Sequence, residues 1–311
     1  MKAVKVSDQV IELCDVPNPK GEGVIVSVKA VGICGSDIHL IDANMMVVTP
    51  GHEISGITPN GQFVAIEPML SCGECSHCNR GSQPYCESAL PNTMGIGIDG
   101  GMAEKVIVPE RFLTRLPKSV SIQDAFLAEP LAVAVRSLLR VKVNSVNRVV
   151  VVGGGTIGLC CVAVAKYFGA EVELVARHRH QIEAGYRLGP QAHQQQKAPV
   201  VVEAAGTASA LATAVDLAEK GGVVAIPSTY WDPTEMPGIS MGLKEVSLVP
   251  SITYGNTQGE RDFELAVKIL ASTPELPAAI ITHRYPLDAA SDAFDTARSR
   301  NLGAIKVAID V

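Results

Sequence analysis

No run of lysine or arginine occurs in this sequence, and its formal net charge is −6. Nucleic acids and anionic membranes reward basic patches, so neither is expected as a partner. A bilayer-length apolar run is missing as well. The longest uncharged stretch, 149–165, is slightly too short to span a membrane and carries four glycines, as a buried strand followed by a helix does. The opening residues Met1-Lys2-Ala3-Val4-Lys5-Val6 alternate like a strand and lack the apolar core of a signal peptide, which predicts a cytoplasmic protein. Internal repeats and low-complexity linkers are absent.

What is present fits a folded enzyme. With 311 residues, 47% hydrophobic and 19% charged, the chain is long enough for two domains with substantial cores. Eight cysteines in a chain without an export signal point to metal binding before disulfides.

Two stretches carry ligand chemistry. Cys34-Gly35-Ser36-Asp37-Ile38-His39 and Gly51-His52-Glu53 bring a thiolate, an imidazole and a carboxylate to the ends of one loop, and these are zinc ligand types suited to a site with one position left open. Glu129, before Pro130, adds a further carboxylate. The capping-box-like Ser121-Ile122-Gln123-Asp124 predicts a helix that stops at Glu129, and Pro130 predicts the start of a second, with Glu129 at the break pointing into a cleft. The second stretch is Cys72, Cys75, Cys78 and Cys86, spaced C-x2-C-x2-C-x7-C. Four thiolates close a tetrahedral shell, so this zinc is expected to be structural.

A dinucleotide signal follows. Arg148-Val149-Val150-Val151-Val152 reads as a strand buried on both faces, then Gly153-Gly154-Gly155-Thr156-Ile157-Gly158 opens an apolar helix ending near Phe168. Gly153 makes the tight turn, Gly155 lets backbone approach a pyrophosphate, and Gly158 permits close packing of helix on sheet. The second strand, 172–175, ends at Ala176 where NAD-binding chains have an acidic residue for the ribose 2′-hydroxyl. Arg177 and Arg179 come next. A small residue followed by arginines suits a 2′-phosphate, which predicts NADP(H) in preference to NAD(H).

Cys-Gly-Ser-Asp-x-His, Gly-His-Glu and Glu-Pro-Leu, in this order ahead of the glycine fingerprint, resemble the zinc-dependent medium-chain alcohol and polyol dehydrogenases, closest to the sorbitol dehydrogenase branch, over nearly the whole chain. The resemblance implies an α/β protein with a GroES-like, mainly-β catalytic domain (1–129 and 256–311, with a structural zinc lobe at about 72–86) and a Rossmann domain with a doubly wound parallel sheet (130–255). It implies that Ser36 and His39 relay the substrate proton to solvent, that Asp37 orients the metal ligand His52, and that Ser228 and Thr253 lie near the nicotinamide end. One of Glu53 and Glu129 would sit on the metal and the other nearby. The strand expected at 247–254 pairs across a two-fold axis in this family, implying a homodimer or homotetramer. The implied activity is hydride transfer between a secondary alcohol or polyol and its ketone.

The chain departs from the resemblance in places. Leu40 stands where sorbitol dehydrogenases carry tyrosine, Thr253 where they carry arginine, and the segment 40–51 is short, which together favour a less polar or bulkier alcohol. The polar stretch beginning at Gln191 and containing His193 and Gln195 replaces a strand and helix, predicting a sheet one strand poorer. The competing expectations are a zinc-free quinone or enone reductase on the same scaffold, a retired enzyme that still binds nicotinamide, and a zinc-ribbon nucleic-acid binder.

Overall fold

The computed structural model describes residues 1–192, 194, 196–257, 259–299 and 303–311. Two sheets organise them. The first has seven strands, in the order Ile281–Pro286, Lys306–Asp310, Val24–Gly32, Glu53–Ile57, Phe63–Ile66 and Leu113–Arg115, with Lys105–Val108 also pairing on Val24–Gly32. Its pairings are antiparallel apart from Ile281–Pro286 against Lys306–Asp310. Alternation sets its faces: Val26, Val28 and Ala30 of the central strand are buried, while the intervening residues are half-buried. A hairpin, Lys2–Ser7 with Val10–Asp15, turns on Asp8 and Gln9, both at positive φ (48° and 66°), as a two-residue hairpin of this twist requires.

The second sheet has six strands, all parallel, in the order Gln191–Ala192, Glu171–Val175, Arg148–Val152, Ala198–Glu203, Ala218–Ile226 and Ser247–Pro250. The strand order reverses at Arg148–Val152, so the sheet is doubly wound and its switch point lies at the end of that strand. Gly169, at φ +81°, follows the helix Thr156–Tyr167 and lets the chain turn back towards Glu171.

Three expectations are corrected. The helix Ala128–Arg140 is continuous, and Glu129 lies in its first turn instead of at a break. Pro130 is tolerated because a first-turn residue has no intrahelical acceptor for the N–H that proline lacks. Ser121 opens no helix: its hydroxyl accepts from Gln123 N, and only a short 3₁₀ turn, Ala125–Leu127, precedes the long helix. The parallel sheet keeps its sixth strand, reduced to Gln191–Ala192. The missing element is the following helix, since no helix occurs between Ala192 and Ala198 among the described residues. His193 and Gln195 lie outside the described residues.

The helix Ala128–Arg140 joins the two sheets. Leu127 just before it and Leu131 and Leu138 within it are fully buried in one apolar cluster that also holds Ala30 and Ala65 of the first sheet and Val149 and Val151 of the second. Each such leucine contributes about 1.5–3 kcal/mol when withdrawn from water, so the helix cements the two halves at the depth of the site below.

Candidate metal and cofactor site

The strand Val24–Gly32 delivers Cys34, which caps the helix Gly35–Asp42. Cys34 N donates to Asp37 Oδ2 at 2.9 Å, fixing that carboxylate inside the first helical turn. On the next strand, Gly51 at φ +95° turns the chain into His52 and Glu53. The pairing of Gly32 with Glu53 then brings the three residues together: ligand atoms of Cys34, His52 and Glu53 all lie within 4.8 Å of one another.

The donor set fits a metal ion. His52 and Glu53 are buried, and among the described residues Glu53 Oε2 has no hydrogen-bond partner. A buried carboxylate oxygen left in that state is costly unless a cation completes it. Asp37 Oδ1 stands 3.4 Å from His52 Nδ1, so Nδ1–H faces the carboxylate and Nε2 is left to ligate. Burial disfavours a charged His52, yet the Asp37 carboxylate and Cys34 outweigh it and raise the imidazole well above its ordinary pKa in the metal-free protein.

Glu129 stands outside this ligand set but shares its electrostatics. Burial, assisted by Glu53, pushes its carboxyl up to about 7 against the opposing pull of His52, Tyr254 and Lys306. Tyr254 is buried beside it, and burial with the Glu129 charge raises its phenol too.

Ser36 and His39 lie three apart on the helix Gly35–Asp42, a spacing that puts them on one face. His39 stacks on Trp231, the only tryptophan of the chain, with ring centroids 4.8 Å apart and planes 20° from parallel. Trp231 comes from the other sheet, on the loop after Ala218–Ile226. That loop is tied down by Glu203: Oε1 accepts from the backbone N–H of Ala205 and Gly206, and Oε2 accepts from Tyr230 at 2.6 Å and from Ser228. Ser228 therefore spends its hydroxyl on fixing the loop. Thr253 sits half-buried next to Tyr254.

The glycine turn has the shape of a dinucleotide cradle. A Cβ on Gly158 would lie 1.9 Å from Gly153 O, so the helix approaches the strand as closely as glycine alone permits. At Gly155 a Cβ would meet nothing within 4 Å, leaving open space where a phosphate needs to approach. Thr156, the first residue of the helix, donates to Ile305 O at 3.0 Å, and Ile157 packs against the core. Ala176 lies against the turn, where a Cβ on Gly154 would meet its own at 2.7 Å. The two arginines part company. Arg177 reaches across to Ser209 Oγ at 2.6 Å, on the helix Ala208–Leu217, whereas Arg179 is paired with Glu183 with its side chain 92% exposed.

Cys72, Cys75, Cys78 and Cys86 form a second cluster of ligand type. Cys72 Sγ lies 3.9 Å from Cys78 Sγ and 3.6 Å from Cys86 Sγ. Backbone N–H groups of Cys72, Cys75 and Cys78 point at the sulfurs of Cys86, Cys72 and Cys75, an arrangement that favours thiolates. The Cys72 N–H, the largest influence, draws the Cys86 thiol down to about 6. None of the eight cysteines forms a disulfide.

Lys306 is the site residue that sequence reasoning missed. It is 3% exposed, and its Nζ donates to Glu53 Oε1 at 2.6 Å and to Ile33 O at 2.8 Å. A lysine at the head of the strand Lys306–Asp310, between Ile305 and Val307, was the available signal, because an unpaired lysine is almost never buried. Tyr254 and Trp231 were missed too, having no motif of their own.

Residues 20–118 match the alcohol dehydrogenase GroES-like domain. A zinc-type alcohol dehydrogenase-like protein of Haemophilus influenzae, itself uncharacterised, is 30% identical over 89% of this chain and 88% of its own length. The sorbitol dehydrogenase of Bacillus subtilis is 28% identical over 96% and 93%. Among solved structures, a protein of Sinorhizobium meliloti assigned as a zinc-binding dehydrogenase, bound to NADP, superposes with a TM-score of 0.87 at 26% identity, covering 100% of this chain and 99% of its own. One from Escherichia coli, described as a short chain alcohol dehydrogenase and complexed with NADH, gives 0.85 at 25% identity, with 100% and 99% coverage.

Proposed function

The chain belongs to the zinc-type medium-chain alcohol and polyol dehydrogenases, oxidoreductases that pass hydride between an alcohol and a nicotinamide cofactor, and from that premise we propose that Cys34, His52 and Glu53 hold its catalytic zinc. The observation that carries the assignment is the convergence of these three ligand atoms around a buried carboxylate oxygen with no partner among the described residues. Zinc there supplies a Lewis acid for the substrate oxygen. Cys72, Cys75, Cys78 and Cys86 hold a structural zinc.

The chain's own residues do the rest. Asp37 fixes the ring of His52, and Glu129 stands by as a carboxyl whose raised pKa suits proton exchange near neutral pH. Ser36 takes the substrate hydroxyl proton and passes it towards His39, one turn on along the same helix face. Trp231 and His39 together wall that path. The nicotinamide arm lies along Gly153, Gly155, Thr156, Ile157 and Gly158 towards Ser228 and Thr253.

Solved relatives of this fold carry either NADP or NADH, so the cofactor choice rests on this chain's residues. Ala176 offers no carboxylate to the ribose, and Arg177, the next residue, is anchored on Ser209, which supports NADP(H). The substrate is a secondary alcohol less polar than a sugar alcohol, in keeping with Leu40, Thr253 and the short 40–51 segment.

We divide the chain into a catalytic part, 1–129 with 256–311, and a cofactor part, 130–255. Ser247–Pro250 ends the parallel sheet, and an uncovered edge strand is a pairing hazard that a second copy would remove, which supports a homo-oligomer. No helix among the described residues is long and apolar enough to cross a membrane. We assign the protein to the cytoplasm.

Turnover of Cys34→Ala tests the assignment. Oxidation of secondary alcohols such as 2,3-butanediol with NADP should be lost while the protein stays folded, and near-normal turnover would remove the catalytic metal from Cys34.

A further inference from the structure

Glu53 is asked to serve two cations. Its Oε1 accepts from Lys306 Nζ at 2.6 Å, while Oε2 has no partner among the described residues and faces Gly32, where a Cβ would come within 1.9 Å of it. Lys306 and Glu53 are 3% and 1% exposed. Lys306 is held in place independently of Glu53: its Nζ also donates to Ile33 O, and the preceding residue is gripped by both halves of the molecule. Ile305 N donates to Thr282 Oγ1 at 3.1 Å, and Ile305 O accepts from Thr156 Oγ1 at 3.0 Å.

A carboxylate whose charge is already shared with a buried ammonium is a weaker ligand than one whose charge is free, and two cations on one carboxylate repel each other. Resting on the assignment of zinc to Cys34, His52 and Glu53, we propose that Lys306 is a positioning residue that makes Glu53 a detachable ligand. It gives the carboxylate a second place to rest, so that Glu53 yields its position to the substrate oxygen and returns afterwards. Neutralising residue 306 leaves Glu53 a buried anion that only the metal compensates, and Glu53 then stays on the metal.

This role has a sign opposite to that of a structural brace. Removing a brace loosens the site and weakens zinc binding. Removing Lys306 as described here tightens zinc binding and slows turnover.

The test is a competition titration of zinc against a chromophoric chelator, with the Cys72 lobe loaded, together with steady-state kinetics. Lys306→Met is expected to bind the catalytic zinc about tenfold more tightly than wild type, and to lose about tenfold or more in kcat without a rise in KM. Lys306→Arg, which keeps the charge, should stay within about threefold on both measures. If Lys306→Met does not fold, Lys306→Gln serves in its place, since it keeps a polar donor in the buried site without carrying charge; the same tightening is expected. Zinc affinity equal to or weaker than wild type in the neutral variant overturns the role of Lys306 and leaves the zinc assignment intact. A wild-type protein that holds zinc only in the Cys72 lobe overturns the assignment itself, and the proposal with it.

Discussion

Gly32 and Glu53 face each other across two antiparallel strands so closely that a Cβ on Gly32 would lie 1.9 Å from Glu53 Oε2. The same atom would meet the Phe126 ring at 2.8 Å, so neither neighbour gives way without disturbing the buried cluster behind it. Glycine at position 32 is a requirement of the site, since its φ is unexceptional and ordinary strand geometry would accept alanine. Gly32→Ala should push Glu53 off its position and lower kcat/KM by about 10²-fold. Wild-type activity in a folded Gly32→Ala protein would show that Glu53 is not needed where it stands.

The two titrating groups set a pH dependence in the metal-free protein. Glu129 has a folded pKa of about 7, above its unfolded value, so the folded state binds more protons between the two and stability falls as pH rises through that interval. His52, also raised, contributes stability that is present below its unfolded pKa and is lost at higher pH, which is the same direction. With the catalytic site stripped by a chelator, stability should fall by roughly 2–4 kcal/mol from Glu129 alone between pH 4 and pH 8. Glu129→Gln should flatten most of that fall. Unfolding midpoints in urea across the range measure it, and an unchanged slope in the variant would mean that Glu129 titrates normally.

Arg177 and Arg179 should behave differently. Arg177, next to the Ala176 that lies against the glycine turn, is held by Ser209, whereas Arg179 is bound to Glu183 and almost wholly exposed. Fluorescence titration should find the Kd for NADPH raised about ten- to a hundredfold in Arg177→Ala and less than about threefold in Arg179→Ala, with NADH binding little changed in either. Equal losses for NADPH and NADH in Arg177→Ala would mean that this arginine does not read the 2′-phosphate.

The Cys72 lobe is stitched to the body through backbone contacts: Arg111 donates to Ser71 O and Cys72 O, and Asn256 N donates to Gly81 O. Cys75→Ser should lose the lobe's zinc and lower the melting temperature by several degrees, about 2–4 °C per kcal/mol in a chain of this size or less. Residual activity at low temperature should persist, because the closed shell takes no part in the chemistry. Complete inactivity at a temperature where the variant is folded would give the lobe a direct role.

How much of this was legible in the sequence follows from range. The cysteine lobe, the glycine turn and the Cys34, His52 and Glu53 set depend on local spacing or on one strand pairing, and their residue types state their chemistry. The contacts that tune the site join distant positions: Lys306 and Glu53 are 253 residues apart, and neither the stacking of Trp231 on His39 nor the Arg177–Ser209 bond has a sequence pattern. Two misreadings came from trusting local rules too far. The proline rule predicts a helix break at Pro130 although its missing N–H costs nothing in a first turn, and the strand Gln191–Ala192 is too short for any alternation to reveal.

Zinc stoichiometry is the most direct measurement of all. Purified wild-type protein should contain two zinc ions per chain, one for each ligand cluster, and Cys34→Ala should contain one while remaining folded at the assay temperature. Two zinc ions retained in a folded Cys34→Ala protein, or only one in the wild type, would contradict a metal-dependent site at Cys34, His52 and Glu53.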